Sequence, residues 1–273
     1  MLNALIVVFR ESLEAMLVIG VLLAWIARQP EPAALRRGLW TGVAAGLGLA
    51  VVLGFATFAA QSQLEGKALE IFQVGMVLFA AGLILQMVLW MRRHGRHMKR
   101  ELETQAGRAS GTLGTLGIAT VAALAVAREG AETVVFLYGM GLERAGTDLF
   151  AVLGAAAAGL ALAVATGWLV TRGARFLSYR ILFSASEILL LLIAGSLLGA
   201  GIDRMIGFDW LPPLLDPVWD SSALLDDGGG AGRLLADFAG YRARPSASLL
   251  IAYAVFWTFT LWRLGRNAKD VAR

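Results

Sequence analysis

Two stretches of this sequence set the same three ionisable residues in the same order, Arg10-Glu11-Ser12-Leu13-Glu14 and Arg128-Glu129-Gly130-Ala131-Glu132. On a helix, positions i, i+1 and i+4 lie toward one face, so each arginine and its two glutamates can share an interior. Both stretches sit inside apolar runs. Ionised groups at the centre of a bilayer cost about 2.5–3.5 kcal/mol each on insertion scales, and where they occur they face a bundle interior or a water-filled cavity. Four carboxylates against two guanidiniums leave a surplus of negative charge, and in a low-dielectric interior such a surplus recruits a cation. Carboxylate oxygens suit hard cations such as Fe(III), Mn(II), Mg(II) or Ca(II). The chain has no cysteine, and its two histidines, His94 and His97, lie in a basic loop, so a soft-metal site inside the membrane is excluded. Two plainer readings stand beside the cation site: ion pairs of the i,i+4 type that staple a bundle, and a proton relay. The first leaves Glu11 and Glu129 uncompensated.

The elements that must carry these residues are membrane helices. The chain has 273 residues, of which 58% are hydrophobic and 16% charged, and its mean hydropathy is +0.69. Soluble domains usually carry about 25% charged residues. Spanning the hydrocarbon takes roughly 20 apolar residues per helix, and seven such segments can be drawn, at about 2–27, 38–60, 69–91, 114–141, 149–171, 181–202 and 246–264. The first lacks a basic leader and is interrupted by Arg10, Glu11 and Glu14, so it reads as a retained helix rather than a cleaved signal. Pro30 and Pro32 break the chain after it. Trp25, Trp90, Trp168, Trp257 and Trp262 fall near segment ends, as interface anchors do.

Loop charge sets the orientation. The loops after the first, third and fifth segments, with the C-terminal tail, hold 16 of the basic residues, against six in the opposite loops. The positive-inside rule then places the N-terminus outside and the C-terminus in the cytoplasm. The basic balance is thus a topology signal and gives no sign of nucleic-acid binding. The opposite loops are acidic, with Glu65, Glu143, Asp148, Asp203, Asp209, Asp216, Asp220, Asp226, Asp227 and Asp237, and a negative outer face concentrates cations. The run Asp226-Asp227-Gly228-Gly229-Gly230 reads as a flexible stretch.

The two motifs each open a three-helix unit, about 1–95 and about 111–203. Three is odd, so the units are inverted relative to each other in the membrane, a recurrent transporter plan with its site near the midplane. An outer loop of about 203–245 and a seventh helix of about 246–264 complete a single membrane domain. The fold class is therefore an all-α integral membrane protein with seven transmembrane helices, a 3+3 inverted repeat plus one C-terminal helix, N-out and C-in. Gly38, Gly42 and Gly46, and comparably Gly154, Ala158 and Gly159, read as close helix packing.

Other polar positions carry weaker signals. Glu187 lies inside the sixth segment with no obvious partner, and Glu70 near the outer end of the third can receive an ion or snorkel. His94 and His97 offer a metal exit or simply a solvated loop. Met16, Met76 and Met87 read as core filling.

At the two motifs the chain resembles the oxidase-dependent high-affinity iron permeases, both the fungal Ftr-type and the bacterial EfeU-type. Further likenesses are Trp90-Met91 before basic residues, Asp220-Ser221-Ser222-Ala223-Leu224-Leu225, Gly240-Tyr241 and Pro245-Ser246. The resemblance covers essentially the whole chain. It implies iron uptake, in the bacterial branch across the inner membrane. A periplasmic iron-delivery protein with a haem peroxidase, or in fungi a multicopper oxidase, is implied as partner. Glu11, Glu14, Glu129 and Glu132 would be the iron-handling carboxylates, supported by Arg10 and Arg128. Glu70, Gln73, Glu187 and Asp220 are secondary pathway candidates; Gln73 stands where the family often has a glutamate, and Ser12 where it commonly has a glycine. The expected function is a permease importing iron, ferric at the site, with iron as substrate and no permanently bound cofactor. Alternatives are uptake of lead, manganese or another divalent ion by the same architecture, and a non-transporting scaffold subunit. No paired intramembrane aspartate, HExxH or nucleophile–base pair appears, so an enzyme is not expected.

Overall fold

The computed structural model describes residues 2–94, 98–140, 149–171 and 179–271. Among these residues helices are the only extended regular elements, with no strand. In chain order the helices are α1 (Leu2–Ile26), α2 (Pro32–Ser62), α3 (Gly66–His94), α4 (Met98–Leu113), α5 (Thr115–Gly139), α6 (Leu149–Thr171), α7 (Tyr179–Gly207), α8 (Gly230–Ala239) and α9 (Ala247–Val271). All seven apolar segments form helices. Among the described residues five helices, α2, α3, α6, α7 and α9, are long and apolar enough to cross a membrane, and the protein is an integral membrane protein. The other two segments, α1 and α5, are 25 residues each and as long as a span requires. What sets them apart is the three ionisable residues that each carries mid-helix.

The break expected at Pro30 and Pro32 is present, since α1 ends at Ile26 and Pro32 opens α2, where its fixed φ and missing N–H fit the helix start. The structure departs from the sequence reading elsewhere. Two short helices were not anticipated. The loop around residues 98–113 is α4, whose Glu101 lies in the first turn, where it favours the helix dipole. The outer loop contains α8, so Asp226–Gly230 is not a loose linker: the Asp226 carboxylate accepts the N–H of Gly228 at 3.1 Å, and Gly229 is the N-cap. Gly240 closes α8 in the left-handed region at φ 68°, a conformation that costs glycine little.

The contacts divide the chain into two compact units. One comprises Met1–Gln63, His94–Leu137 and Ala145–Tyr179; the other comprises Leu64–Arg93, Tyr138–Arg144 and Arg180–Arg273. In the first unit, α1 packs along α6 and touches α2 and α4. The α2–α5 contact is a close one between backbones. A Cβ added at Gly38, Gly42 or Gly46 would lie 2.5, 2.2 or 2.7 Å from the carbonyl oxygens of Thr115, Ala119 and Ala123. The packing role expected of these glycines is what the structure shows. Gly159 serves α6 against α1 in the same way, whereas a Cβ added at Gly154 would meet nothing within 4 Å among the described residues. An apolar cluster joins Val18, Leu22 and Ile26 of α1, Leu39 and Val43 of α2, Ala106 of α4, and Ile118, Ala122 and Val126 of α5. Across α2 and α6, Leu47, Val51, Phe55, Phe58, Leu160, Val164 and Trp168 point outward, as residues facing lipid do.

In the second unit, the loop between α7 and α9 is tied by main-chain bonds, from Val218 N–H to Pro245 O and from Ser221 N–H to Ala243 O, both 2.9 Å. Ser196 of α7 donates to the Ala236 carbonyl of α8 at 3.0 Å, and the Tyr253 hydroxyl of α9 donates to the Gly240 carbonyl at 2.8 Å. Arg242 pairs with Asp203 at 2.7 Å.

Candidate cation site

Both motifs lie in the first unit, on α1 and α5. The first is fully enclosed: Arg10 is 1% exposed, and Glu11 and Glu14 are buried with it. Arg10 uses its two terminal nitrogens as a fork. Nη1 donates to Glu11 Oε1 at 2.9 Å, and Nη2 pairs with Glu14 Oε1. A planar guanidinium can hold two carboxylates in this way; an ammonium cannot.

The second motif repeats the pattern in looser form. The Arg128 Nη2 and Nε atoms donate to Glu129 Oε1 at 2.6 and 3.0 Å, and Nε stands 3.6 Å from Glu132 Oε1. The Arg128 side chain is 52% exposed and that of Glu132 21%, while Glu129 is buried. The i,i+4 pairing expected from sequence is present in both motifs. The bond from each arginine to the glutamate beside it in sequence was not anticipated, because sequence spacing alone does not show which rotamer wins.

From two helices, carboxylate oxygens of Glu11, Glu14 and Glu129 converge within 4.8 Å of one another, all three residues buried. An ion ligated at about 2.0–2.6 Å leaves its ligand atoms at most about 5 Å apart, so the set has the dimensions of a single cation. Oε2 of Glu11 and Oε2 of Glu129 are buried and accept no hydrogen bond among the described residues. Leaving a buried acceptor unmet normally costs about 1–3 kcal/mol, more for a charged group. Glu132 stands beside this set, held toward Arg128. Among the described residues no other group of three potential ligands comes together.

The secondary candidates lie elsewhere. Glu187 is not unpartnered: Arg92 Nε donates to its Oε2 at 2.9 Å, joining the end of α3 to the early turns of α7. The partner is 95 positions away in sequence, beyond the reach of spacing arguments. Gln73 contributes its backbone carbonyl to Arg204 Nη1 at 3.2 Å, and Glu70 is half-buried near the start of α3. Asp220 is exposed and fully engaged. It accepts the N–H and the hydroxyl of Ser222 at 2.9 and 2.6 Å, and Arg244 Nε at 2.9 Å. The Ser222 bonds first, then Arg244, hold its carboxyl below the usual aspartate range. His97, Glu143 and Asp148, and the side chain of His94, lie outside the described residues.

The profile of the iron permease FTR1 family matches residues 1–264, which takes in both motifs and every long helix except the last turns of α9. The chain belongs to the iron permease FTR1 family. It is accordingly a transporter and not an enzyme. Among its relatives, an uncharacterized protein of Archaeoglobus fulgidus is 30% identical over 253 residues, 89% of this chain and 87% of that protein. The ferrous iron permease EfeU of Escherichia coli is 28% identical over 258 residues, 92% of this chain and 90% of that one. The EfeU permease of Yersinia pestis is 26% identical over 253 residues, covering 92% and 88%. No solved structure matches the chain.

Proposed function

We propose that the chain imports iron through a site built by Glu11, Glu14, Glu129 and Glu132, with Arg10 and Arg128 holding the carboxylates together when no ion is bound. The observation that carries this reading is the convergence of three buried carboxylates from two helices, with one oxygen each of Glu11 and Glu129 accepting no hydrogen bond among the described residues. A cation entering there takes up those oxygens and replaces part of the pairing to the arginines. The relatives from Escherichia coli and Yersinia pestis are named for ferrous iron. An all-oxygen set accepts both Fe(II) and the Fe(III) expected from the hardness of carboxylates, so the proposal is for iron, and its oxidation state is one arm of the test.

The surrounding architecture is proposed as seven spans, N-out and C-in, in which α1–α3 and α5–α7 are inverted repeats. Two observations support it. The charge asymmetry of the loops orients an odd number of spans, and the first helix of each half packs on the second helix of the other, α1 on α6 and α5 on α2. Residence in the cytoplasmic membrane is part of the proposal, supported by the bacterial relatives and the resemblance. A periplasmic delivery protein and a haem peroxidase or oxidase belong to the same proposal, supported by the likeness to the EfeU-type branch alone.

The test is radiolabelled uptake into proteoliposomes, with Fe(II) kept reduced, Fe(III), Mn(II) and Pb(II) offered separately. Iron uptake is expected to exceed the others, and Glu14→Gln and Glu132→Gln each to abolish it. Uptake at the wild-type rate by both variants would sink the site; preference for Mn(II) or Pb(II) would replace the cargo while keeping the site.

A further inference from the structure

Resting on the cation site proposed above, we infer that Gly46 and Gly159 are positioning residues for the two motifs and act as counterparts across the repeat. Adding 118 to a position in the first motif gives its equivalent in the second, Arg10 to Arg128 and Glu14 to Glu132. By that same offset Leu5 corresponds to Ala123, Phe9 to Ala127 and Met16 to Val134.

The contacts follow the offset. A Cβ on Gly159 of α6 would lie 2.5 Å from the Leu5 carbonyl oxygen and 3.0 Å from the Phe9 nitrogen of α1. A Cβ on Gly46 of α2 would lie 2.7 Å from the Ala123 carbonyl oxygen and 3.1 Å from the Ala127 nitrogen of α5. Both glycines therefore press on the same two backbone atoms of their motif helix, in the turn that ends just before the arginine. Eight positions further along each helix the correspondence recurs. A Cβ on Gly167 would lie 2.7 Å from the tip of Met16, and one on Gly54 would lie 3.6 Å from a Val134 methyl.

Each motif helix is thus seated, backbone on backbone, on a helix of the opposite half. A helix flank cannot withdraw from a new methyl group as a flexible side chain can, so alanine at either glycine must move one helix off the other. Glu11 and Glu14 travel with α1, and Glu129 travels with α5. Displacing either helix opens the oxygen set, whose dimensions suit one ion only while both are seated. Glycine at these two places sets the affinity of the site.

The experiment measures Fe(II) binding by anaerobic calorimetry on detergent-purified protein, alongside thermal unfolding. Gly46→Ala and Gly159→Ala are each expected to weaken binding by about ten- to hundredfold, the range seen when groups supporting metal ligands are changed, and by similar factors. Gly48→Ala and Gly154→Ala, where an added Cβ meets nothing within 4 Å, should bind as wild type. If either first variant does not fold, Gly54→Leu and Gly167→Leu supply a milder wedge against side chains and should weaken binding several-fold. A purely structural role would lower the unfolding temperature and leave the affinity of the folded protein unchanged, and that result overturns the inference. Glu129→Gln separates the two levels. If it binds Fe(II) as wild type, the site itself is wrong; if it does not bind while the glycine variants do, only the positioning role fails.

Discussion

Arg10 and Arg128 occupy equivalent positions in the two motifs but stand in different surroundings. Arg10 is enclosed and forks to two buried carboxylates, whereas Arg128 is half-exposed. Removing one partner of a buried ion pair leaves the other charge stranded, typically at about 3–5 kcal/mol. Arg10→Ala is therefore expected to destabilise the protein by about that amount, and Arg128→Ala by clearly less because water already reaches its side chain. Arg10→Lys should fall between, since an ammonium is a point charge without the fork. Thermal unfolding in detergent would rank the three, and equal losses for Arg10→Ala and Arg128→Ala would refute the asymmetry.

At the scale of elements, α4 shows which kind of contact holds a helix in place. Its Glu103 pairs with Arg28 at 2.6 Å, but the arginine is 62% exposed, and exposed pairs contribute about 0–1 kcal/mol. Its Ala106 is fully buried among Leu22, Ile26, Leu39 and Ile118. A carboxylate there would be buried without a partner. Arg28→Ala is thus expected to leave the unfolding temperature within a few degrees of wild type, while Ala106→Asp lowers it strongly or releases α4 to protease. Protection of α4 in Ala106→Asp together with loss in Arg28→Ala would reverse the assignment. The mechanism is apolar burial, with the ion pair as an accessory.

Across the whole molecule, the segment between α7 and α9 closes on itself around Asp220, Ser222 and Arg244. Because the folded Asp220 carboxyl titrates below its ordinary range, its contribution is fully present above that range and is lost only as pH falls through the lower, folded value. Hydrogen exchange at the Ser222 amide, corrected for intrinsic rate, should stay slow from neutral pH to below about 4, the ordinary aspartate value. Asp220→Ala, which removes the acceptor, should release it already at pH 7. Fast exchange in the wild type at pH 5 would show that the turn does not depend on the ionised carboxyl.

Much of this was legible in the residues because a bilayer imposes strong and simple rules. Apolar runs of a membrane's thickness had to be helices, and an arginine with glutamates inside such runs had to face an interior, so the seven long helices and the candidate residues follow from composition and spacing. Membership of the permease family follows as well, since its match runs through both motifs. Spacing along one chain says nothing about which distant helix lies opposite. The pairing of Glu187 with Arg92 and the seating of Gly159 on Leu5 and Phe9 are contacts between remote positions. So, too, is the meeting of Glu11 and Glu14 with Glu129. Composition and spacing were enough to say which ionisable residues lie inside apolar helices; that three carboxylates share one ion-sized space came from the fold alone, because it depends on how closely two helix backbones approach.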